Sequence, residues 1–225
     1  MTASSHQCLT GWSVYVCFIS RYELYLGVLD TIKQTLIEGL TSKLKIHHSV
    51  YRLPCTSEFL EKLIAITLTE AAYINDWQPN RSHSISVDMS LESGESFSIK
   101  SGVYANNTLT FSGSRLGKYQ TLDAMISSVV DNSADYYVCL AKSDQDWSSV
   151  PAENEKKVYY LFIFDSKTLI YDSGVWNKVQ TKSGGYNYAM ESIGMSAKIN
   201  TSMSSQLWTS VNESLIGSPT KLEIL

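Results

Sequence analysis

An aspartate and a lysine that can share one site stand twelve positions apart, Asp88 and the Lys100 of Ser98-Ile99-Lys100. A carboxylate beside a main-chain carbonyl, here that of Ile99, offers hard oxygen donors suited to Mg²⁺. An ion held there lowers the pKa of a water and neutralises charge on a reacting phosphate. An ammonium in the same place orients that water or binds the developing anion. The chemistry open to such a group is phosphodiester hydrolysis.

The elements that must position these residues can be read from alternation. Ile85, Val87, Met89 and Leu91 are apolar, with Ser84, Ser86, Asp88 and Ser90 between them. Phe97 and Ile99 alternate with Ser96, Ser98 and Lys100. Strict alternation predicts two strands with one face on a core. Gly94 supplies the turn, and a Ser93-Gly94-Glu95 loop is a common hairpin connection. Pairing apolar with apolar sets Leu91 against Phe97, Met89 against Ile99 and Asp88 directly against Lys100. The same pair also reads as a cross-strand ion pair on a solvated face, worth roughly 0.2–1 kcal/mol.

Around the hairpin the spacing predicts a helix over 22–44, with Leu26, Leu29, Ile32, Leu36 and Leu40 on one face, then a break at Pro54. A second helix is expected over 57–73, with Ser57 as N-cap and Glu58 and Glu61 favouring its first turn. Glu70 follows Leu63 by seven residues and Thr67 by three, which sets an acid on or beside the apolar stripe. After the hairpin come a strand at 108–111, a Gly/Ser loop over 112–120, and a helix over 121–131. Strands follow at 134–141 and 157–164, with 169–171 extending the sheet. Residues 172–225 are rich in Ser, Thr, Asn and Gly and predict short strands and loops wrapping the core.

Helix, three strands, helix, strand, with Asp88 on the first strand and Lys100 on the second, resembles the PD-(D/E)XK nuclease superfamily. The likeness is greatest to type II restriction endonucleases and covers residues 57–141. It implies an α/β (α+β) fold: a mixed central β-sheet flanked by helices, an αβββαβ nuclease-like core over 57–171. Residues 1–56 would form an N-terminal helical arm, and 172–225 a β/loop-rich extension used for DNA recognition. The activity implied is Mg²⁺-dependent, site-specific cleavage of double-stranded DNA by a cytoplasmic homodimer. Asp88, Glu70 and the Ile99 carbonyl would be metal ligands, and Asp88, Lys100, Ser98 and Glu70 the catalytic set. Two departures stand out. Val87 replaces the proline expected before the aspartate, and Ser98 replaces an acid. An acid from a neighbouring helix would then be needed. Glu70 is preferred over Asp123, which already has a reason to stand in a first helical turn.

Ser114, Arg115, Lys118 and Gln120 of the Gly/Ser loop suit phosphate contact, and Lys182 and Asn187 suit base edges. A β-rich interaction module, or an inactive nuclease-fold protein that binds DNA, fits the same residues. Composition does not decide between them: 225 residues, net charge −4 and 44% hydrophobic content suit one large domain with no global basic signature. Cys8, Cys17, Cys55 and Cys139 are too dispersed for a zinc site, and His6, His47, His48 and His83 lack metal spacing. No signal peptide or membrane span is read.

Overall fold

The computed structural model describes residues 12–74, 87–144, 147, 156–202 and 204–224, with side chains described from residue 29 onward. Two helices come first, α1 (Trp12–Val50) and α2 (Ser57–Glu70). Then follow β1 (Met89–Ser90), β2 (Ser96–Ala105), β3 (Thr108–Arg115), α3 (Leu122–Asp131), β4 (Tyr136–Ser143) and β5 (Lys157–Asp165). The chain ends with β6 (Trp176–Gln180), β7 (Tyr186–Ser192), β8 (Met195–Asn200), β9 (Gln206–Asn212), α4 (Glu213–Ile216) and β10 (Thr220–Ile224). The fold is mixed α and β, built on one ten-stranded, mostly antiparallel sheet. Its order is β10-β5-β4-β2-β3-β9-β8-β7-β6, with β1 set beside β2.

The central strand β4 is buried on both faces, as its run Tyr-Tyr-Val-Cys-Leu-Ala requires. It lies parallel to β2, reached through α3, and every other strand pair is antiparallel. One face of the sheet carries Phe97, Ile99, Val138, Leu140 and Leu161, packed under Leu36 and Leu40 of α1 and Leu60 and Ile64 of α2. The other carries Phe111, Cys139, Phe162 and Leu207, packed with Met125 and Val129 of α3. Thr121 caps α3 by accepting from the Ala124 N–H at 3.2 Å. Among the described residues no helix is long and apolar enough to cross a membrane.

Several expectations change. The first helix begins ten residues earlier than its periodicity indicated, at Trp12. Ser57 does not cap α2; Thr56 takes that place, and the Ser57 hydroxyl meets Ser101 Oγ at 2.6 Å. Ser112 to Arg115, read as loop, continue β3 because β9 offers them a partner beyond the end of the β2 ladder. Residues 169–171 add no strand; Leu169 and Tyr171 instead fill the core on the α3 face. The C-terminal residues do not wrap the core. Strands β6 to β9 extend the sheet by a meander, and β10 returns to its opposite edge beside β5. Ser84 to Ser86 of the expected first strand lie outside the described residues.

The phase of α2 can be checked by substitution. Ile64 is fully buried between α1 and the sheet, while Ile66, two residues on, is 47% exposed. Ile64→Ala should lower the unfolding free energy by about 2–5 kcal/mol. Ile66→Ala should change it by about 0.5 kcal/mol or less. Paired urea titrations measure both.

Candidate active site

The hairpin register differs from the apolar match by two residues. Met89 pairs with Phe97 and Ser90 with Ser96. The Leu91 N–H closes on the Glu95 carbonyl at 2.8 Å, so the loop is Glu92-Ser93-Gly94, with Gly94 at φ 103°. Continued by one step, this register sets Asp88 beside Ser98 rather than Lys100, and makes Lys100 a diagonal neighbour. A long side chain spans that diagonal. Asp88 and Lys100 therefore still meet, at 3.0 Å between Oδ2 and Nζ.

What brings them together is a notch in the sheet. β1 and β3 use the same edge of β2: β1 pairs with residues 96–97 and β3 with 102–105. Among the described residues no strand pairs with 98–101 on that edge. The main chain of Ile99 faces this gap. Its N–H donates to Asp88 Oδ2 at 2.6 Å, and its carbonyl accepts from Lys100 Nζ at 3.1 Å. The Ser98 hydroxyl, fully buried, donates to the same Oδ2 at 3.3 Å. Side chains thus take the place of the missing strand, as buried backbone polar groups require. Beneath Lys100 on β4 lies Cys139, its thiol pushed up by burial.

The carboxylate that approaches this group is Glu61, not Glu70. Ser57, Glu61, Ile64 and Leu68 recur at helical spacing along the face of α2 that covers β2, anchored by the Ser57–Ser101 contact. The Glu61 carboxyl is pushed above its ordinary 4.5 first by burial, then by the negative charge of Asp88, with Lys100 opposing. Glu70 is corrected: its side chain is 63% exposed and pairs with Lys43 of α1 at 2.6 Å, away from the notch. It sits at the last position of α2, where the helix has run past β2. Glu61 carried a readable signal, four residues after Ser57 and three before Ile64, which a first-turn role concealed. Asp123 stands in the first turn of α3.

The residues expected to touch DNA are scattered. Ser114 and Arg115 end β3 where it departs from β2, and Arg115 Nε donates to Gln206 Oε1 at 3.4 Å. Lys118 and Gln120 are exposed in the following loop, with Lys118 Nζ 4.9 Å from the Tyr119 ring centre. All four lie at the end of β3, where it pairs with β9, or in the loop that follows. Lys182 does not, since its β6–β7 turn is four to five strands from β2, roughly 20 Å at about 4.8 Å per strand. Asn187 is corrected as a base reader. It is buried and accepts from the Thr201 N–H at 3.3 Å.

Asp88 and the Ile99 carbonyl offer oxygen donors in one place, and the Glu61 carboxylate on α2 feels the charges of both Asp88 and Lys100. Mg²⁺ is commonly held by one or two carboxylates, with water and phosphate completing the shell. The Asp88 and Ile99 oxygens already share one cation, the Lys100 ammonium. Oxygens that share an ammonium in this way are hard donors of the kind that Mg²⁺ takes. Among the described residues no group of three or more His, Cys, Asp or Glu side chains is placed to hold a metal.

Because the folded Glu61 carboxyl binds its proton more tightly than the unfolded one, its effect on stability is favourable below pH 4.5 and is lost as pH rises through the raised value. Glu61→Gln should then melt higher than the parent at pH 7, with the difference closing below pH 4.5. Glu70→Gln, which loses a largely exposed ion pair, should cost about 0–1 kcal/mol at pH 7. Calorimetry across pH checks both. No protein-family model matches this chain, and neither the curated proteins nor the solved structures contain a significant match to it.

Proposed function

We propose that the protein is a Mg²⁺-dependent endonuclease that hydrolyses phosphodiester bonds of double-stranded DNA. The observation that carries this reading is the convergence, in one notch of the sheet, of Asp88, the Ile99 carbonyl and Lys100, with Glu61 near enough to feel the charges of Asp88 and Lys100. Asp88 and the Ile99 carbonyl would hold the ion. Bound Mg²⁺ supplies charge neutralisation and a more acidic water. Lys100 donates to the attacking water or to a non-bridging phosphate oxygen as negative charge develops there. Glu61, with its raised proton affinity, accepts a proton from the water more readily than an ordinary carboxylate does. Ser98 fixes the Asp88 carboxylate by its hydroxyl and takes no part in proton transfer. Arg115 and Lys118, exposed at the end of β3 and in the loop after it, would meet the DNA backbone. A two-fold pair of such chains would present one site to each strand of a symmetric target.

The second reading takes the Asp88–Lys100 pair as purely structural. It is favoured by the same backbone contacts, since Asp88 and Lys100 satisfy the Ile99 N–H and carbonyl that no strand reaches. Incubation with phage and plasmid DNA at low salt separates the two. Mg²⁺-dependent cleavage into discrete bands, reduced about 10²–10³-fold or more in Lys100→Ala and in Glu61→Gln, is expected. Glu70→Gln should cleave as the parent does. Folded parent protein that leaves every DNA intact with Mg²⁺ and Mn²⁺ would overturn the nuclease reading.

A further inference from the structure

A cavity of about 550 Å³ opens on the α1/α2 face of the sheet, just beyond the N-terminus of α2. Its walls include Trp208 of β9 and Tyr159 of β5, and its rim carries Ser57, Ser101, Ser112 and Lys142. That size suits a ligand of mononucleotide scale. Tyr159 is held rigidly: its hydroxyl accepts from the Cys55 N–H at 3.0 Å and contacts His48 Nε2 at 2.9 Å. Trp208 is 38% exposed on a polar sheet face, between Ser112 across the β3–β9 ladder and Lys198 across the β8–β9 ladder. Nothing in the core requires a tryptophan there, and its ring is open to a flat partner.

The lining selects a chemistry. The exposed Trp208 ring favours a planar π-system, which stacking would hold without regard to substituents. Hydroxyls both donate and accept, as the edges of a heteroaromatic base do. Lys142 adds a cation that suits an attached phosphate. The cavity also adjoins the notch: Ser101 follows Lys100 on β2, and Ser57 lies one helical turn before Glu61 on α2.

We infer that this cavity binds a single nucleobase, stacked on Trp208, with its polar edge on the serine hydroxyls and its phosphate toward Lys142. The base comes either from a free mononucleotide or from the nucleic acid presented to the notch, and only the second source rests on the nuclease reading. Two measurements on the full chain distinguish these sources. The first is calorimetric titration with nucleoside 5′-monophosphates. The second is fluorescence of 2-aminopurine placed at successive positions of duplex oligonucleotides. Saturable mononucleotide binding that survives in Lys100→Ala and weakens about tenfold or more in Trp208→Ala supports the site. A rise in 2-aminopurine emission that Trp208→Ala abolishes supports a base drawn from the strand. Trp208→Phe should restore both signals, which separates stacking from a folding defect. Loss of DNA cleavage in Lys100→Ala, with mononucleotide binding intact, would leave this inference standing whatever becomes of the nuclease reading. Absence of both signals in the folded parent, or binding indifferent to Trp208→Ala, would overturn it.

Discussion

The main chain of Ile99 faces a gap where two strands part, and the candidate site depends on how that gap is closed. β1 leaves the edge of β2 after residue 97, and β3 does not reach it until residue 102. A main-chain donor and acceptor would be stranded between them, at a cost of about 1–3 kcal/mol for each buried group left unpaired. Asp88 and Lys100 meet that need with one carboxylate oxygen and one ammonium. The half-buried carboxylate in turn accepts from Ser98, Ile99 and Lys100, since a charge drawn out of water is tolerated when paired and hydrogen-bonded. A structural requirement therefore assembles the groups that metal-assisted phosphoryl chemistry uses.

Much of this arrangement was legible in the sequence, and the missing parts have identifiable physical reasons. Alternation in Met89, Leu91, Phe97 and Ile99 shows which face is buried, and the structure places all four in the core. Alternation has a period of two, so it excludes a slip by one residue but not by two. That is the error the hairpin register shows, and it left the Asp88–Lys100 contact standing because lysine is long enough to reach diagonally. The helical stripe on α2 was read one face too wide. Leu63 and Thr67 are buried, but Glu70 lies past the end of the sheet's cover, where solvent and Lys43 receive it. Glu61 is concealed by its reading as a first-turn acid, whereas α2 begins at Ser57 and only Glu58 lies in its first turn.

The C-terminal part was the least legible, for a reason of composition. Ser, Thr and Asn predominate there because one face of β6 to β9 has no helix over it among the described residues. Met190, Met195, Ala197, Ile199, Leu207 and Val211, with Trp176 and Tyr188 packed against them, carry the apolar signal on the α3 face. A strand with one polar face and a thin apolar one resembles a loop to any pattern reading. Its attachment to the rest of the sheet is set by a neighbour distant in sequence, where Trp208 meets Ser112.

The central claim is that the notch is a divalent-cation site and not merely a patched sheet edge. The most direct measurement is an amide ¹H–¹⁵N correlation spectrum of the folded protein titrated with Mn²⁺, competed by Mg²⁺. The account predicts selective broadening of the amides of Asp88, Ile99, Lys100 and Glu61, reversed by excess Mg²⁺ and absent in Asp88→Asn. Broadening elsewhere, or a spectrum at these four residues that Mn²⁺ leaves unchanged, would contradict it.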